Sequence, residues 1–219
     1  MSDPLTSSIR ESYDRLAEEY ARRIANELEH KPLDRGLLDR FARATAGRGE
    51  ICDIGCGPGH VTRYLHHAGA PVFGLDLSPG MVEQARKLNP HIPFRVGNMM
   101  ALEINADTLA GVVAFYAIVN IPRPSLPLVF QEIKRVLRPD GLLLLAFHVG
   151  EEVLHEDELW GQKISMDFLL FPTSAIKSDL EAADFEIEEI IERPPYPDVE
   201  YPSRRAYIFA RKPRFAQLI

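Results

Sequence analysis

Apolar residues recur every three or four positions from residue 6 to residue 46, which is the spacing of one helix face. The first of them are Tyr13, Leu16, Ala17, Tyr20 and Ile24. Ser7 or Ser8 can cap the start of this helix. Lys31-Pro32 predicts a break, because proline cannot continue a helix, and Gly47 is expected to end a second one.

After residue 50 the pattern changes to short apolar runs that alternate with amphipathic stretches. The runs predict strands at Ile51–Ile54, Val72–Leu75, Phe94–Val96, Gly111–Ala117 and Leu142–His148, with helices near Val61–Ala68, Pro79–Leu88 and Ser125–Leu137. Arg138-Pro139-Asp140-Gly141 predicts a turn before the fifth strand. Strands that are apolar on both faces and are joined by helices indicate a buried parallel sheet.

The pattern is looser after His148. Residues 150–171 contain several acidic side chains, Trp160 and one strand-like stretch, Lys163 to Phe171, and a helix is expected from Thr173 to Ala183. Phe185–Glu192 and Ala206–Ala210 flank a proline-rich loop and predict an antiparallel hairpin at the sheet edge. The fold class is therefore α/β, with a mostly parallel seven-stranded sheet, helices on both faces and an antiparallel edge hairpin.

This organisation divides the chain into four segments of one domain. We expect a helical lid at 1–48, a ligand-binding core at 49–149, an insert over the site at 150–172, and a completing helix and edge strands at 173–219.

Composition narrows the class of protein. The 219 residues are 46% hydrophobic and 26% charged, as in globular proteins. The longest apolar run, Val112 to Val119, is far shorter than the ~20 residues that span a bilayer. The first residues lack the basic and apolar stretches of a signal peptide, so we expect a cytoplasmic protein away from membranes. A net charge of −7 disfavours a nucleic-acid partner.

Two cysteines, Cys52 and Cys56, are too few for a disulfide framework or a zinc site, so no metal is expected. The chemistry points instead to Asp53-Ile54-Gly55-Cys56-Gly57-Pro58-Gly59, which follows a strand and opens a helix. Glycine lets the backbone turn sharply and approach a ligand at the helix N-terminus. A dinucleotide-binding protein uses Gly-x-Gly-x-x-Gly, whose third glycine would fall at His60.

With its Gly-x-Gly-x-Gly spacing and the preceding aspartate, this segment resembles the first motif of class I S-adenosylmethionine-dependent methyltransferases. Gly74-Leu75-Asp76-Leu77-Ser78 is similar to the second motif, and Arg95-Val96-Gly97-Asn98-Met99 to the third, with Asn98 where the family usually has aspartate. The fourth, Ala110 to Ile121, begins with alanine instead of aspartate. Tyr13-Asp14-x-x-Ala17-x-x-Tyr20 looks like the family's helix over the cofactor, and the resemblance spans about residues 10–211.

The resemblance implies a Rossmann-like methyltransferase fold that binds S-adenosylmethionine and releases S-adenosylhomocysteine. Asp76 is expected to accept from the ribose hydroxyls, Asp53 and Gly55 to hold the loop and the ammonium end, and Asn98 to accept from the adenine amino group. The implied cofactor-binding residues are Tyr13, Tyr20, Asp53, Gly55, Cys56, Gly57, Gly59, Asp76, Leu77, Asn98, Met99 and Phe115. Core packing would equally explain Tyr13 and Tyr20, and an ordinary turn would explain Asn98.

The acceptor site is expected where strands four and five end, because open α/β sheets bind ligands at that edge. Tyr116, His148 and Trp160 are the predicted acceptor-binding residues. His148 interrupts an apolar strand, and imidazole has an unperturbed pKa that suits proton removal near neutral pH. It is therefore the candidate for orienting or deprotonating the acceptor, although structural pairing explains it as well.

The leading functional hypothesis is methyl transfer to a small molecule by in-line displacement. A non-catalytic cofactor-binding or sensor protein is the alternative, and a nicotinamide-dependent oxidoreductase is disfavoured by the glycine spacing. Nucleic-acid acceptors are disfavoured too, since Asn120-Ile121-Pro122-Arg123 does not match the Asn/Asp-Pro-Pro-aromatic motif of amino-directed DNA methyltransferases. The sequence does not indicate an oligomeric state or the acceptor.

Overall fold

The computed structural model describes residues 4–214. Its helices are α1 (Pro4–Ile24), α2 (Pro32–Thr45), α3 (His60–His67), α4 (Pro79–Leu88), α5 (Leu126–Val136) and α6 (Thr173–Ala182), and short 3-10 helices cover Glu27–His30 and Arg123–Ser125. Its strands are β1 (Ile51–Ile54), β2 (Val72–Asp76), β3 (Phe94–Val96), β4 (Leu109–Phe115), β5 (Leu137–Val149), β6 (Val153–Leu159), β7 (Gln162–Leu169), β8 (Glu186–Arg193) and β9 (Arg204–Arg211).

Seven of these strands form the main sheet in the order β3-β2-β1-β4-β5-β9-β8. The pairs among β1 to β5 are parallel, and β9 runs antiparallel to both β5 and β8. The predicted α/β class, the seven-stranded sheet and the antiparallel edge hairpin are confirmed.

The central strands are buried on both faces because helices cover each side. Alternate residues of β5 show this: Leu143 and Leu145 belong to the apolar core shared with α5 and α6. Leu142 and Leu144 belong to the core shared with α2 and α3. The continuous apolar runs of the sequence follow from this two-sided burial.

The turn predicted before the fifth strand lies inside β5. Leu137 already pairs with Leu109 of β4, and the register then jumps so that Leu142 pairs with Gly111. Asp140 takes a left-handed φ of 65° within this irregularity. The predicted turn is therefore present as a local irregularity, and β5 continues to pair with β4 after it.

The N-terminal helices differ from prediction at their start. α1 begins at Pro4, ahead of the predicted caps Ser7 and Ser8, since proline is accepted in a first helical turn. The break before Pro32 is as predicted, with a 3-10 turn of Glu27–His30 leading to α2. None of the helices within residues 4–214 is long and apolar enough to cross a membrane.

A second sheet of two strands, β6 and β7, follows β5 in the chain. Only β7 corresponds to a predicted strand, because β6 is mostly exposed and rich in acidic residues. Trp160 and Gly161 join the pair with φ of 52° and 79°. Two consecutive positive φ values are the geometry of the tightest hairpin turns, which usually carry asparagine and glycine. Tryptophan is unusual there.

Candidate functional site

The glycine loop after β1 has its backbone in conformations that only glycine adopts easily. Gly55, Gly57 and Gly59 have φ of 67°, 52° and 81°. A Cβ on Gly55 would lie 2.6 Å from the Ala117 Cβ, and one on Gly59 would lie 2.7 Å from the Phe94 ring. At Gly57 the nearest atom would be Tyr20 Cε1 at 3.8 Å. The loop therefore leaves its open space above Gly57.

Asp76 ends β2 beside this loop. Its Oδ2 accepts the Gly57 N–H at 2.8 Å and its Oδ1 accepts the Ser78 N–H at 2.9 Å. Burial raises the pKa of Asp76, and the backbone donors from Ser78 and Gly57 oppose that rise. Each carboxylate oxygen has a second lone pair, so the side chain can still accept from a ligand in the cavity that it lines.

Asp53 and Gly59 do not line that cavity, unlike the other residues predicted to bind the cofactor. The Thr62 hydroxyl donates to Asp53 Oδ2 at 2.6 Å, which ties β1 to α3. Complete burial raises the pKa of Asp53 to about 6. Both residues support the loop from behind, and Gly59 does so by its close approach to Phe94.

The turn after β3 places Asn98 next to Asp76. Asn98 Oδ1 accepts the Met100 N–H at 2.9 Å, and Gly97 donates its N–H to the Asp76 carbonyl at 2.8 Å. Asn98 thus does make the local turn that its sequence context allows, and it also lines the cavity. Leu77 and Met99 add apolar side chains to the lining of the cavity.

Helix α1 covers this half of the cavity. The Tyr13 hydroxyl donates to Asn120 Oδ1 at 2.7 Å, and burial raises the pKa of Tyr13 and of Tyr20. Asp14 Oδ1 accepts from the Gly80 N–H at 2.8 Å and from the Ser78 hydroxyl at 2.6 Å. Asp14 therefore fixes α1 to the first turn of α4. The sequence alone indicates no role for Asp14, because its hydrogen-bond partners Ser78 and Gly80 lie more than sixty residues away in the chain.

The β6–β7 hairpin closes the cavity from the other side. Trp160 at its tip lies 5.7 Å from the Tyr20 ring, and the Arg23 guanidinium lies 4.9 Å from the Trp160 ring centre. Asn120 Nδ2 donates to the Asp167 carbonyl at 2.7 Å. Asn120 thus links α1 to the hairpin, because its amide oxygen accepts from Tyr13 and its amide nitrogen donates to Asp167.

Tyr116 and His148 form the wall where β4 and β5 end. Tyr116 has a φ of 54°, a left-handed conformation that is rare for aromatic residues and is typical of functional sites. Its ring centre lies 4.9 Å from that of His148, and its hydroxyl lies 3.2 Å from the Tyr207 hydroxyl. The Phe115 ring contacts the rings of Tyr116 and Tyr207, with ring centres 6.1 Å apart in each pair.

His148 does not keep the near-neutral pKa on which its predicted role as a base depended. Burial, with the positive charges of Arg205 and Lys31, lowers the pKa of His148 to about 4. Its Nδ1 lies 2.7 Å from the Ser203 hydroxyl. The ring is therefore neutral at physiological pH and is a weak proton acceptor. The geometry favours the orienting role over deprotonation.

A group of buried charges at this end was missed by sequence reasoning. Lys31 pairs with Glu27 at 2.7 Å and with Glu200 at 3.5 Å, and Arg205 pairs with Glu200 at 3.5 Å. All four line the cavity. They come from the 3-10 turn, the start of α2, the proline-rich loop and β9, so nothing in the local pattern marks them as neighbours.

One cavity of about 490 Å³ joins these parts, from Asp76 and the glycine loop to His148 and Arg205. This volume lies within the range of roughly 300–1,000 Å³ that small-molecule sites occupy. Within residues 4–214, no three His, Cys, Asp or Glu side chains are grouped to hold a metal ion.

Comparison with known proteins identifies the domain. Residues 51–141 match the family model described as a methyltransferase domain. The malonyl-[acyl-carrier protein] O-methyltransferase of Serratia marcescens is 27% identical over 154 residues, which cover 68% of this chain and 59% of that protein. The sterol 24-C-methyltransferase of Gibberella zeae is 26% identical over 191 residues, which cover 81% and 46%.

Residues 51–141 are thus a methyltransferase domain, and the matches support the class I S-adenosylmethionine-dependent methyltransferases as its family. The chain spans about half the length of the curated relatives that it matches. Among solved structures, an S-adenosylmethionine-dependent methyltransferase of Methanosarcina mazei superposes with a TM-score of 0.68 at 18% identity, over 75% of this chain and 92% of that one. A Pyrococcus horikoshii protein gives 0.67 at 20% identity, over 88% and 98%. The family and its cofactor, both predicted from the sequence, are confirmed.

The residues of this methyltransferase domain fit S-adenosylmethionine. Asp76 presents a buried carboxylate whose oxygens can each accept one more hydrogen bond. The space above Gly57 admits a ligand against the backbone. His60 Nδ1 is buried and has no hydrogen-bond partner within residues 4–214, while Nε2 contacts Glu27 at 3.0 Å. A buried polar atom without a partner beside the loop suits a ligand with a charged amino-acid end.

Proposed function

We propose that this protein transfers a methyl group from S-adenosylmethionine to a small-molecule acceptor by in-line displacement. The observation that carries the proposal is the single cavity that joins Asp76 and the glycine loop to Tyr116 and His148. Residues of α1 and of the β6–β7 hairpin line this cavity opposite the edge of the sheet, so a bound acceptor has protein on several sides. That shape suits a small molecule better than a nucleic acid.

In this proposal Asp76 accepts from the ribose hydroxyls, and Asn98 accepts from the adenine amino group between Leu77 and Met99. Gly55, Gly57 and their neighbours hold the methionine end. S-adenosylmethionine supplies an electrophilic methyl group on its sulfonium. The protein binds and orients the acceptor and excludes water, which can contribute on the order of 7–11 kcal/mol to catalysis through proximity alone.

The two departures from the family motifs do not favour a non-catalytic protein. Ala110 is fully buried in β4 and does not line the cavity, so alanine there leaves the ligand site unchanged. Asn98 lines the cavity, and its amide oxygen accepts the Met100 N–H and keeps a second lone pair. The names of the relatives, which include malonyl-[acyl-carrier protein] O-methyltransferase and trans-aconitate 2-methyltransferase, support a small or carrier-linked acceptor.

Binding and transfer assays test the proposal separately. Calorimetry should show S-adenosylhomocysteine binding with a rise in melting temperature, and no comparable effect of NAD, because a ligand of the native state stabilises it. Label should then pass from methyl-tritiated S-adenosylmethionine to components of a small-molecule cell extract. Tighter binding of NAD would contradict the cofactor assignment. Binding of S-adenosylhomocysteine with no transfer to any component would favour the sensor alternative.

A further inference from the structure

The hydrogen bonds around Ser203 indicate which nitrogen of His148 carries the proton. Arg205 Nη1 lies 3.2 Å from Ser203 Oγ, and a guanidinium can only donate, so Ser203 Oγ accepts there. Ser203 Oγ has a second lone pair, but its hydrogen has no other acceptor among residues 4–214, so we assign this hydrogen to the remaining neighbour, His148 Nδ1, at 2.7 Å. His148 Nδ1 is an acceptor in this chain of bonds. The ring hydrogen therefore lies on Nε2, which makes His148 a donor toward a ligand.

Arg205 has unused hydrogen-bonding capacity at the same place. Its side chain is only 3% exposed and lines the cavity, yet its Nε has no hydrogen-bond partner within residues 4–214. The ion pair with Glu200 does not supply one, because Nε lies 3.5 Å from that carboxylate. Arg193 holds both Glu200 oxygens more closely, at 2.6 and 2.9 Å. A buried guanidinium with one N–H left without an acceptor favours an additional anionic partner.

Lys31 adds a second cation at this end of the cavity. Its ammonium lies 5.5 Å from the Tyr116 ring centre and its side chain is 7% exposed. Glu27 and Glu200 balance Lys31 and Arg205 in charge, but each of these carboxylates already has a close cationic or imidazole partner. Glu156 also lines the cavity and lies on the exposed strand β6, with no cation within ion-pair distance in the described chain.

Glu27, Glu200 and His148 are poor proton acceptors at this end. The pKa values of Glu27 and Glu200 are lowered to about 2 by their cationic and hydrogen-bonding partners, although burial opposes this. The Nδ1 lone pair of His148 is occupied by Ser203. An alcohol or an ammonium group must lose a proton before or during attack on a methyl group, and these residues assist that loss poorly. A carboxylate is already a nucleophilic anion at neutral pH.

We propose that the acceptor is a small-molecule carboxylic acid, bound as its carboxylate against the Nε2–H of His148 and the positive charges of Arg205 and Lys31. The inference rests on the proposed function and adds the substrate class. One carboxylate oxygen forms a bond to the methyl carbon while the carbon–sulfur bond breaks. The bonding pair stays on sulfur, which becomes a neutral thioether, and the acceptor becomes a methyl ester. No proton is transferred.

The chemistry of methyl esters gives a direct test. The protein is incubated with methyl-tritiated S-adenosylmethionine and a small-molecule cell extract, and then with benzoate, octanoate, succinate or their primary amides. Alkali releases volatile methanol from esters but not from N-, C- or phenol O-methyl groups. We expect volatile label, above a blank without protein, from the extract and from at least one acid and none of the amides. Non-volatile label alone would overturn the carboxylate inference and leave the proposed function standing. No label at all would overturn both.

Variants at the anion site separate its role from that of the cofactor site. Arg205→Gln should raise the acceptor KM at least tenfold and leave the Kd of S-adenosylhomocysteine within twofold. Arg204→Gln is the matched control, since Arg204 is the exposed neighbour on the same strand and pairs with Glu192. Equal KM values for the two variants would contradict the assignment.

A pair of substitutions at His148 tests the donor directly and does not depend on Arg205→Gln folding. His148→Gln places an amide N–H near the position of Nε2 and removes basicity, so turnover should stay within about threefold of the wild type. His148→Phe keeps an aromatic ring beside Tyr116 and removes the donor, so KM should rise at least tenfold. Equal loss of turnover in both variants would show that basicity is required, which contradicts a carboxylate acceptor bound by a donor.

Discussion

Asp76 combines two roles in one carboxylate, since it fixes the glycine loop through Gly57 and offers lone pairs to the cavity. Replacing it with alanine leaves the Gly57 and Ser78 N–H groups without their acceptor and removes the proposed charged partner of the ribose. We expect Asp76→Ala to weaken S-adenosylhomocysteine binding by roughly 2–4 kcal/mol, measured by titration calorimetry.

A matched control for this change is Asp157→Ala, because Asp157 lies on the hairpin with its side chain 88% exposed. Its cofactor affinity should equal that of the wild type. Wild-type affinity in Asp76→Ala would place the ribose elsewhere in the cavity.

His148 predicts a pH dependence of stability whose sign follows from its lowered pKa. The folded pKa of about 4 lies below the unfolded value of 6.5, so the unfolded chain alone binds a proton between these pH values. The contribution of His148 to stability is complete above pH 6.5 and is lost as the pH falls toward 4. At about 1.4 kcal/mol per pKa unit, the loss is roughly 3 kcal/mol.

Urea unfolding of the wild type and of His148→Phe across pH 4–7 measures this effect as a difference. Asp53 and Asp76, whose pKa values are raised, oppose the His148 trend, but they are present in both proteins and cancel in the comparison. The wild type should lose stability relative to the variant as the pH falls. Parallel curves would show that His148 keeps an ordinary pKa in the fold.

At the scale of elements, α1 and the β6–β7 hairpin form one cover that Trp160 and Asn120 join. Leu16 of α1 packs with Ile164 and Met166 of β7, and Trp160 contacts Tyr20 and Arg23. Coupling of this kind means that loosening one element exposes the other. The cover should therefore open and close as a unit.

We expect Trp160→Ala to increase hydrogen exchange in residues 8–26 as well as in the hairpin, because both lose the aromatic contact. Bound S-adenosylhomocysteine should slow exchange over the same residues in the wild type. Val153→Ala is the control, since Val153 lies in the same hairpin but is 58% exposed. Unchanged exchange over residues 8–26 in both experiments would make α1 a fixed structural helix.

The elements differ in how well the sequence predicts them. β1, β2 and β4 are buried almost throughout and mainly apolar because helices cover both faces, and such runs are visible in any single sequence. β6 carries no such signal, since its side chains are mainly exposed and acidic and its turn uses Trp160 where asparagine is usual. Its position depends on α1, which is more than a hundred residues away.

The candidate site likewise has one half that the sequence predicts and one half that it does not. Its cofactor half comes from contiguous motifs, so Gly57, Asp76 and Asn98 could be predicted from spacing and resemblance. Its proposed acceptor half contains Lys31, Glu200 and Arg205, which meet only when the chain has folded. The lowered pKa of His148 depends on those neighbours, which is why sequence reasoning assigned it basicity that the fold removes.

At the scale of the whole molecule, one buried ion cluster joins α2 to the antiparallel edge. Arg193 of β8 pairs with Asp34 of α2 at 2.9 Å and with Glu200 at 2.6 Å, and the Tyr207 hydroxyl donates to Asp34 at 2.9 Å. Removing one member of a buried pair leaves uncompensated charge in the interior. The cluster therefore links the N-terminal helices to the last strands.

We expect Arg193→Met to lower the free energy of unfolding by about 3–5 kcal/mol, measured in urea at neutral pH, because Asp34 and Glu200 lose their shared cation. Arg204→Gln should change it by less than about 1 kcal/mol, since its ion pair with Glu192 is exposed. A similarly small effect of Arg193→Met would mean that water or Lys31 replaces the guanidinium.

The hairpin of β6 and β7 leaves and rejoins the core at nearly the same point, since Phe171 donates its N–H to the His148 carbonyl at 3.0 Å. Residues between these two positions can change in length or composition without shifting the register of β5 on β9. Such an insertion is a replaceable module from an evolutionary point of view. Its exchange between homologues would alter the hairpin side of the cavity, where we propose that the acceptor binds, and would leave Asp76 and the glycine loop unchanged. Diversification of substrates could thus proceed in one short segment while the methyl-donor half of the protein stayed constant.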